Sequence, residues 1–278
     1  MSQFRHLIVR GDEFSHIKKG DAFPYIDCIS EAGATGVHIW FWKEPYLNVK
    51  DEFIPYCRDR NIKVHLGIGV GAYDVCNGED PTDPKVQQKI KDHVAKVLDT
   101  QDIDGIEFQT GEYDDIEYKG DSMKGISHAR QLVDSLNPIV EYTHALKNSL
   151  WIRTELLMSN FDEASVEKVS RNLLKCCSVE WSDDLGPFRG EDRFAKGKAL
   201  LMKDNRFSWF LKTMYRGAKH FHASQSRLLH NDSWIDEWRE WVRMLYNTNR
   251  DTLTICRVTD ERLDIAEQAI HTSLEIVT

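Results

Sequence analysis

Along this chain, short runs in which apolar and polar residues alternate with a period of two are separated by longer runs with apolar spacing near 3.6. The short runs predict strands at His6–Arg10, Val37–Trp42 and Lys63–Gly69, a fourth opened by the turn Asp104-Gly105, and then Trp151–Leu157 and Ser178–Ser182. The longer runs predict helices around Pro24–Ala32, over Lys50–Asn61, and from an Asp83-Pro84 start to about Leu98. Helical spacing returns over Ser127–Lys147, with a break or kink expected at Pro138, and again from an Asp162 cap to about Lys175. Beyond Ser182 the pattern weakens. Lys198–Lys203 reads as a strand or a helix end and stands as the seventh strand, Phe207–Gly217 as a helix, and Lys219–Ser224 as the eighth strand. Trp234–Leu245 and Glu261–Ile276 read as terminal helices, and the spacing of Trp234, Trp238 and Trp241 suits a core face.

Strand and helix alternate from end to end, and parallel strands need crossovers of about this helix size. The expected class is therefore α/β, a (β/α)8 barrel, with residues 1–278 as a single catalytic domain that ends in helices. An open doubly wound sheet is the alternative, but no Gly-x-Gly-x-x-Gly follows the first strand. No linker, low-complexity run or internal repeat interrupts the pattern.

One parity of each strand is apolar: Val37, Ile39 and Phe41; Val64, Leu66 and Ile68; Ile106 and Phe108; Ile152 and Leu156; Val179 and Trp181; Phe221 and Ala223. This parity is expected to face the helices. The opposite one, which should line the interior, carries His38, Trp40 and Trp42; His65, Gly67 and Gly69; Glu107 and Gln109; Arg153 and Glu155; Ser178 and Glu180; and His220, His222 and Ser224. Barrel interiors ordinarily hold branched aliphatics. Buried polar groups are costly unless they satisfy one another, water or a polar ligand, so this lumen reads as a site, and Gly67 and Gly69 leave room in it.

The fourth strand is followed by Gly111, Glu112, Tyr113, Asp114 and Asp115, where barrel enzymes keep their catalytic acids. Asp183 and Asp184 end the sixth strand in the same way. Trp40, Trp42 and Tyr113 offer flat faces on which sugar rings stack; as single residues they would equally serve a core.

A formal charge of −9 and the lack of a basic run exclude non-specific nucleic-acid binding. No apolar segment is long enough to span a membrane or act as a signal peptide, so no membrane partner and a cytoplasmic location are expected. Cys28, Cys57, Cys76, Cys176, Cys177 and Cys256 form no Cys-x-x-Cys pair and read as reduced structural residues.

The segment Asp-Gly-Ile-Glu-Phe-Gln-Thr-Gly-Glu-Tyr at 104–113, the Asp83-Pro-Lys-Val helix start before it, and Arg216-Gly-Ala-Lys-His-Phe-His222 together resemble glycoside hydrolase barrels of the α-glucuronidase and β-hexosaminidase type. The adjacent Asp-Glu pair of hexosaminidases is replaced here by Gly111-Glu112. The resemblance implies cleavage of a glycosidic bond, with the glutamate after the fourth strand, Glu112, as general acid. Such chemistry needs a second carboxylate, for which Asp183 is the first candidate and Glu155 the second. Arg10, His38, Trp40, Trp42, His65, Glu107, Gln109, Tyr113, Arg153, Glu180, His220 and His222 would then bind the carbohydrate. The inward arginines suit an acidic sugar, because guanidinium engages carboxylate bidentately. Neither cofactor nor metal is expected. Two other readings compete. A divalent-metal sugar isomerase or epimerase would draw ligands from His65, Glu107, Glu155, Glu180, Asp183 and His222. A non-catalytic carbohydrate-binding barrel would have lost the partner acid and kept the binding residues.

Overall fold

The computed structural model describes residues 6–11, 19–39, 50–70, 79–109, 126–157, 163–182, 207–212, 252–256 and 270–275, together with 236, 239, 242 and 243. Its elements are β1 (His6–Gly11), α1 (Lys19–Glu31), β2 (Gly36–Ile39), α2 (Lys50–Asp59), β3 (Lys63–Gly69), α3 (Pro84–Thr100) and β4 (Gly105–Gln109). These are followed by α4 (Ile126–Leu146), β5 (Trp151–Leu157), α5 (Glu163–Asn172), β6 (Cys177–Ser182), β7 (Phe207–Lys212) and β8 (Thr252–Cys256). Neighbouring strands follow sequence order and the order closes from β8 to β1, which makes the fold an α/β barrel of the (β/α)8 class.

The chain forms two compact units, Met1–Val64 with Ser208–Thr278, and His65–Phe207. In the first, β8 lies between β7 and β1, and β1 pairs onward with β2, all in parallel. In the second, β3, β4, β5 and β6 pair in parallel in that order.

The bounds of β3 and β5 coincide with the sequence pattern, and those of β1, β4 and β6 agree within a residue. The seventh and eighth strands do not. β7 occupies Phe207–Lys212, where the apolar spacing predicts a helix, and the place beside β1 is taken by Thr252–Cys256, a stretch the periodicity leaves unassigned. Phe207-Ser-Trp-Phe-Leu-Lys212 fits both periods, and its aromatics favour the extended form. In Thr252-Leu-Thr-Ile-Cys256 β-branched residues recur, which also prefer strands. His220, His222 and Ser224 therefore do not belong to β8, and both 219–224 and Lys198–Lys203 lie outside the described residues. The expected terminal helices are described only in part, as helical residues at 236, 239, 242–243 and 270–275.

Helix ends follow local chemistry. Asp83 caps α3 by accepting from the Lys85 N–H at 2.7 Å, with Pro84 in the first turn where no donor is lost. One stripe of α3 is buried, Val86, Ile90, Val94 and Val97, as its spacing predicts. α4 runs through Pro138 instead of ending there, and α1 begins at Lys19, so that Pro24 lies inside it. α5 stops at Asn172, short of Lys175, because Asn137 of α4 takes over its end. The Asn137 amide donates to the Asn172 carbonyl (2.9 Å) and its carbonyl accepts from the Leu174 N–H (3.1 Å).

Gly33 ends α1 in a left-handed conformation (φ 101°), its N–H donating to the Ser30 carbonyl at 3.0 Å. A Cβ at this position would also come within 2.7 Å of the Leu274 Cδ1. Gly33→Ala should therefore cost about 1–3 kcal/mol of stability, read as a lower urea midpoint at unchanged slope.

Candidate active site

In the second unit the register sets the interior-parity residues of β3, β4, β5 and β6 into successive rows. The first row is His65, Gly105 and Trp151. The second is Gly67, Glu107, Arg153 and Ser178, and the third is Gly69, Gln109, Glu155 and Glu180. Each row lies one step nearer the C-terminal ends of the strands, the end at which barrel enzymes work. The opposite parity is apolar and buried, with Leu66, Ile68, Ile106, Phe108, Ile152 and Val179 at 1% exposure or less. Among the described residues only Thr154 breaks it, and its hydroxyl donates to the Phe108 carbonyl at 2.9 Å.

The first two rows hold a connected buried network. Glu107 and Arg153 are both fully buried, and the Nη2 of Arg153 lies 3.4 Å from the Oε2 of Glu107. The same guanidinium stacks over the Trp151 ring, 4.8 Å from its centroid. Trp151 donates its indole N–H to the Ser178 hydroxyl at 3.2 Å and meets the His65 imidazole edge-on at 5.4 Å. His65 reaches this position because the β4 residue beside it is Gly105. A Cβ there would overlap the His65 Nδ1 and come within 2.9 Å of the Trp151 carbonyl oxygen. Burial removes both charges of the pair from water, a cost that each repays only while the other is present.

Of the residues expected at the site, the structure thus brings His65, Glu107 and Arg153 together, and adds Trp151, Ser178 and Gly105. Gln109, Glu155 and Glu180 share one row through their backbones; their side chains lie outside what is described. Trp40, Trp42, Glu112, Tyr113, Asp183, His220 and His222 lie outside the described residues altogether. In the first unit His38 is fully buried on β2 and pairs in register with Arg10 of β1. One residue on from the Val9–Ile255 pair, Cys256 stands beside Lys212, so the row through Arg10 and His38 continues across β8 and β7. Lys212 and Cys256 escape the sequence reading because β7 and β8 do. Cys28, Cys57, Cys176 and Cys177 form no disulfide.

Among the described residues no cluster of His, Cys, Asp or Glu is arranged to hold a metal ion. Among them, too, no helix is long and apolar enough to cross a membrane.

No protein-family model matches the chain, and no curated protein does. Solved structures do. The endo-1,4-beta-mannanase from Rhizomucor miehei superposes with a TM-score of 0.67 at 10% identity, over 99% of this chain and 95% of that one. The O-GlcNAc hydrolase of Thermobaculum terrenum, in a mutant form, gives 0.64 at 11% identity, over 98% of this chain and 59% of the other. D-psicose 3-epimerase from Clostridium cellulolyticum H10, solved with D-tagatose, gives 0.56 at 11% identity, over 98% and 96%. At such identities the likeness is one of fold: this chain has the barrel that glycoside hydrolases use.

Proposed function

We propose that this protein is a glycoside hydrolase, of the α-glucuronidase or β-hexosaminidase-like kind, that cleaves a glycosidic bond of an oligosaccharide with a pair of carboxylates. The observation that carries the reading is the stack of polar rows on β3–β6. A buried Glu107–Arg153 pair lies one step beneath a row of Gln109, Glu155 and Glu180, at the strand ends where a substrate would enter. Mannan and O-GlcNAc enzymes on the same barrel support it.

Glu112, three residues past the end of β4, is the general acid that protonates the leaving oxygen. Asp183, next after β6, is the first candidate for the second carboxylate, and Glu155 the second. Their separation from Glu112 fixes the stereochemistry: about 5–5.5 Å gives retention, and about 6.5–9.5 Å leaves room for an attacking water and gives inversion. Gln109, Tyr113 and Glu180, from the same unit, are the residues offered to the sugar's hydroxyls and ring faces.

Turnover of aryl glycosides by Glu112→Gln tests the acid. The expected loss in kcat is on the order of 10²–10⁴-fold for a poor leaving group. It should be much smaller for a nitrophenolate, which departs without protonation. Equal loss with both leaving groups would remove Glu112 from the acid's role.

A metal-dependent epimerase is the second reading, favoured by the psicose epimerase likeness and by Glu155 standing in register with Glu180. Glu107 does not fit as a ligand there, because the Arg153 cation 3.4 Å away opposes a second positive charge. A stoichiometric divalent metal in the purified protein, with ketose interconversion, would replace the hydrolase by this reading.

A further inference from the structure

We infer that Glu107 and Arg153 are positioning residues of this site, and that Arg153 does not read the charge of the sugar. For its catalytic half the inference rests on the hydrolase reading. An inward arginine on a barrel strand looks like a carboxylate receptor, and Glu155, two residues on, shares its strand parity. The geometry assigns the guanidinium elsewhere. It is fully buried, it meets the Glu107 carboxylate, and it lies against the ring of Trp151, two residues nearer the start of the same strand. The guanidinium is thus engaged by Glu107 and Trp151, both of which belong to the first two rows.

The interactions of this layer are reciprocal. Glu107 neutralises Arg153, Trp151 supports the guanidinium plane, and Ser178 and His65 fix the Trp151 ring from two sides. β4 and β5 are thereby locked in register at Glu107–Arg153, one step below Gln109–Glu155. The pair holds the height and spacing of the working row from the layer beneath it. A sugar carboxylate, if the substrate carries one, must be met by another group.

Two experiments on the full chain test this. Phenylglyoxal treatment of the folded protein, read by tryptic mass spectrometry, should modify the exposed Arg58 and Arg171 freely. Arg153 should react at least about tenfold more slowly, waiting on local opening. Reaction of Arg153 as fast as Arg58 would overturn the sealed layer, whatever the enzyme's activity. Kinetics on a matched aryl glycoside and aryl glycosiduronide then separate positioning from recognition. Arg153→Met should lower kcat on the order of 100-fold and change KM by the same factor on both substrates, with partial rescue in Arg153→Lys. A KM increase confined to the glycosiduronide would make Arg153 a substrate ligand and overturn the inference. If Arg153→Met does not fold, Glu107→Gln/Arg153→Met, which removes both charges of the pair, carries the same measurement. Turnover of neither substrate by the native protein would instead count against the hydrolase reading, while the modification result stands by itself.

Discussion

Arg153→Met is expected to lower the folding free energy by about 3–5 kcal/mol, the largest effect of any single substitution on β3–β6. The change removes little volume, since methionine fills most of the aliphatic stem. What it leaves is the Glu107 carboxylate, fully buried, with its cation gone. A buried carboxylate deprived of the Arg153 charge either drags in water or binds a proton, and both cost native packing. Glu107→Gln should be milder, because an amide keeps a hydrogen-bond acceptor for the guanidinium; it still strands a positive charge. The double variant Glu107→Gln/Arg153→Met removes both charges of the pair, and its stability should return to within about 1–2 kcal/mol of the native protein. Urea unfolding of the four proteins, followed by far-ultraviolet circular dichroism, supplies the cycle. The coupling is expected to be large and favourable to the native pair. Strictly additive losses would mean that the two charges do not depend on one another, and the 3.4 Å contact would then carry no energy of its own.

Such a pair can be anticipated from the chain, though its geometry cannot. Strand β3 is legible because alternation is strict in Lys63–Gly69, and β5 because Arg153 and Glu155 alternate with Ile152 and Leu156, with Thr154 as the exception. Once parity is set, Glu107 and Arg153 must face the same side as His65. Which of them meet is a question of register, and register across a parallel sheet is fixed by crossovers too long to read locally. The same limit hides Trp151, which reads as a strand's first residue and proves to be the surface on which Arg153 and His65 both pack. β7 is hard to read for another reason. With apolar residues at 207, 209, 210 and 211, Phe207–Lys212 satisfies either period, and only its β-prone aromatics argue for a strand. β8 is short, and its threonines make Thr252–Cys256 look polar by composition although its partner β1 is buried at Leu7, Ile8 and Val9. Placing those two strands elsewhere puts His220 and His222 in the expected interior and conceals the row of Lys212, Cys256, Arg10 and His38. Of the candidate site, the buried layer is therefore legible as a set of residues. The acids Glu112 and Asp183 follow strand ends that the sequence places correctly.

Gly105 illustrates how one residue can be legible for the wrong reason. Next to Asp104 it reads as half of a turn, yet it lies in β4, in register between His65 and Trp151. Its missing side chain is the space that the His65 imidazole fills. Gly105→Ala is accordingly expected to destabilise the protein by about 2–3 kcal/mol, toward the upper end for overpacking. The new Cβ meets a buried ring on one side and, on the other, the Trp151 carbonyl at 2.9 Å, a backbone atom held by the sheet. Only the imidazole can yield, and when it does it gives up its edge contact with Trp151. The indole then loses one of the side chains that orient it, so the layer beneath Gln109 and Glu155 should loosen together with the core. Two readouts follow: a lower urea midpoint, and a weaker near-ultraviolet tryptophan signal under conditions where the variant is still fully folded. Gly105→Ala/His65→Ala, which removes the ring that the Cβ strikes, should recover part of the midpoint but not the tryptophan signal. If the single variant were as stable as the native protein with its tryptophan spectrum unchanged, His65 would have to pack elsewhere, and the first row of the network would dissolve as an explanation for glycine at this position.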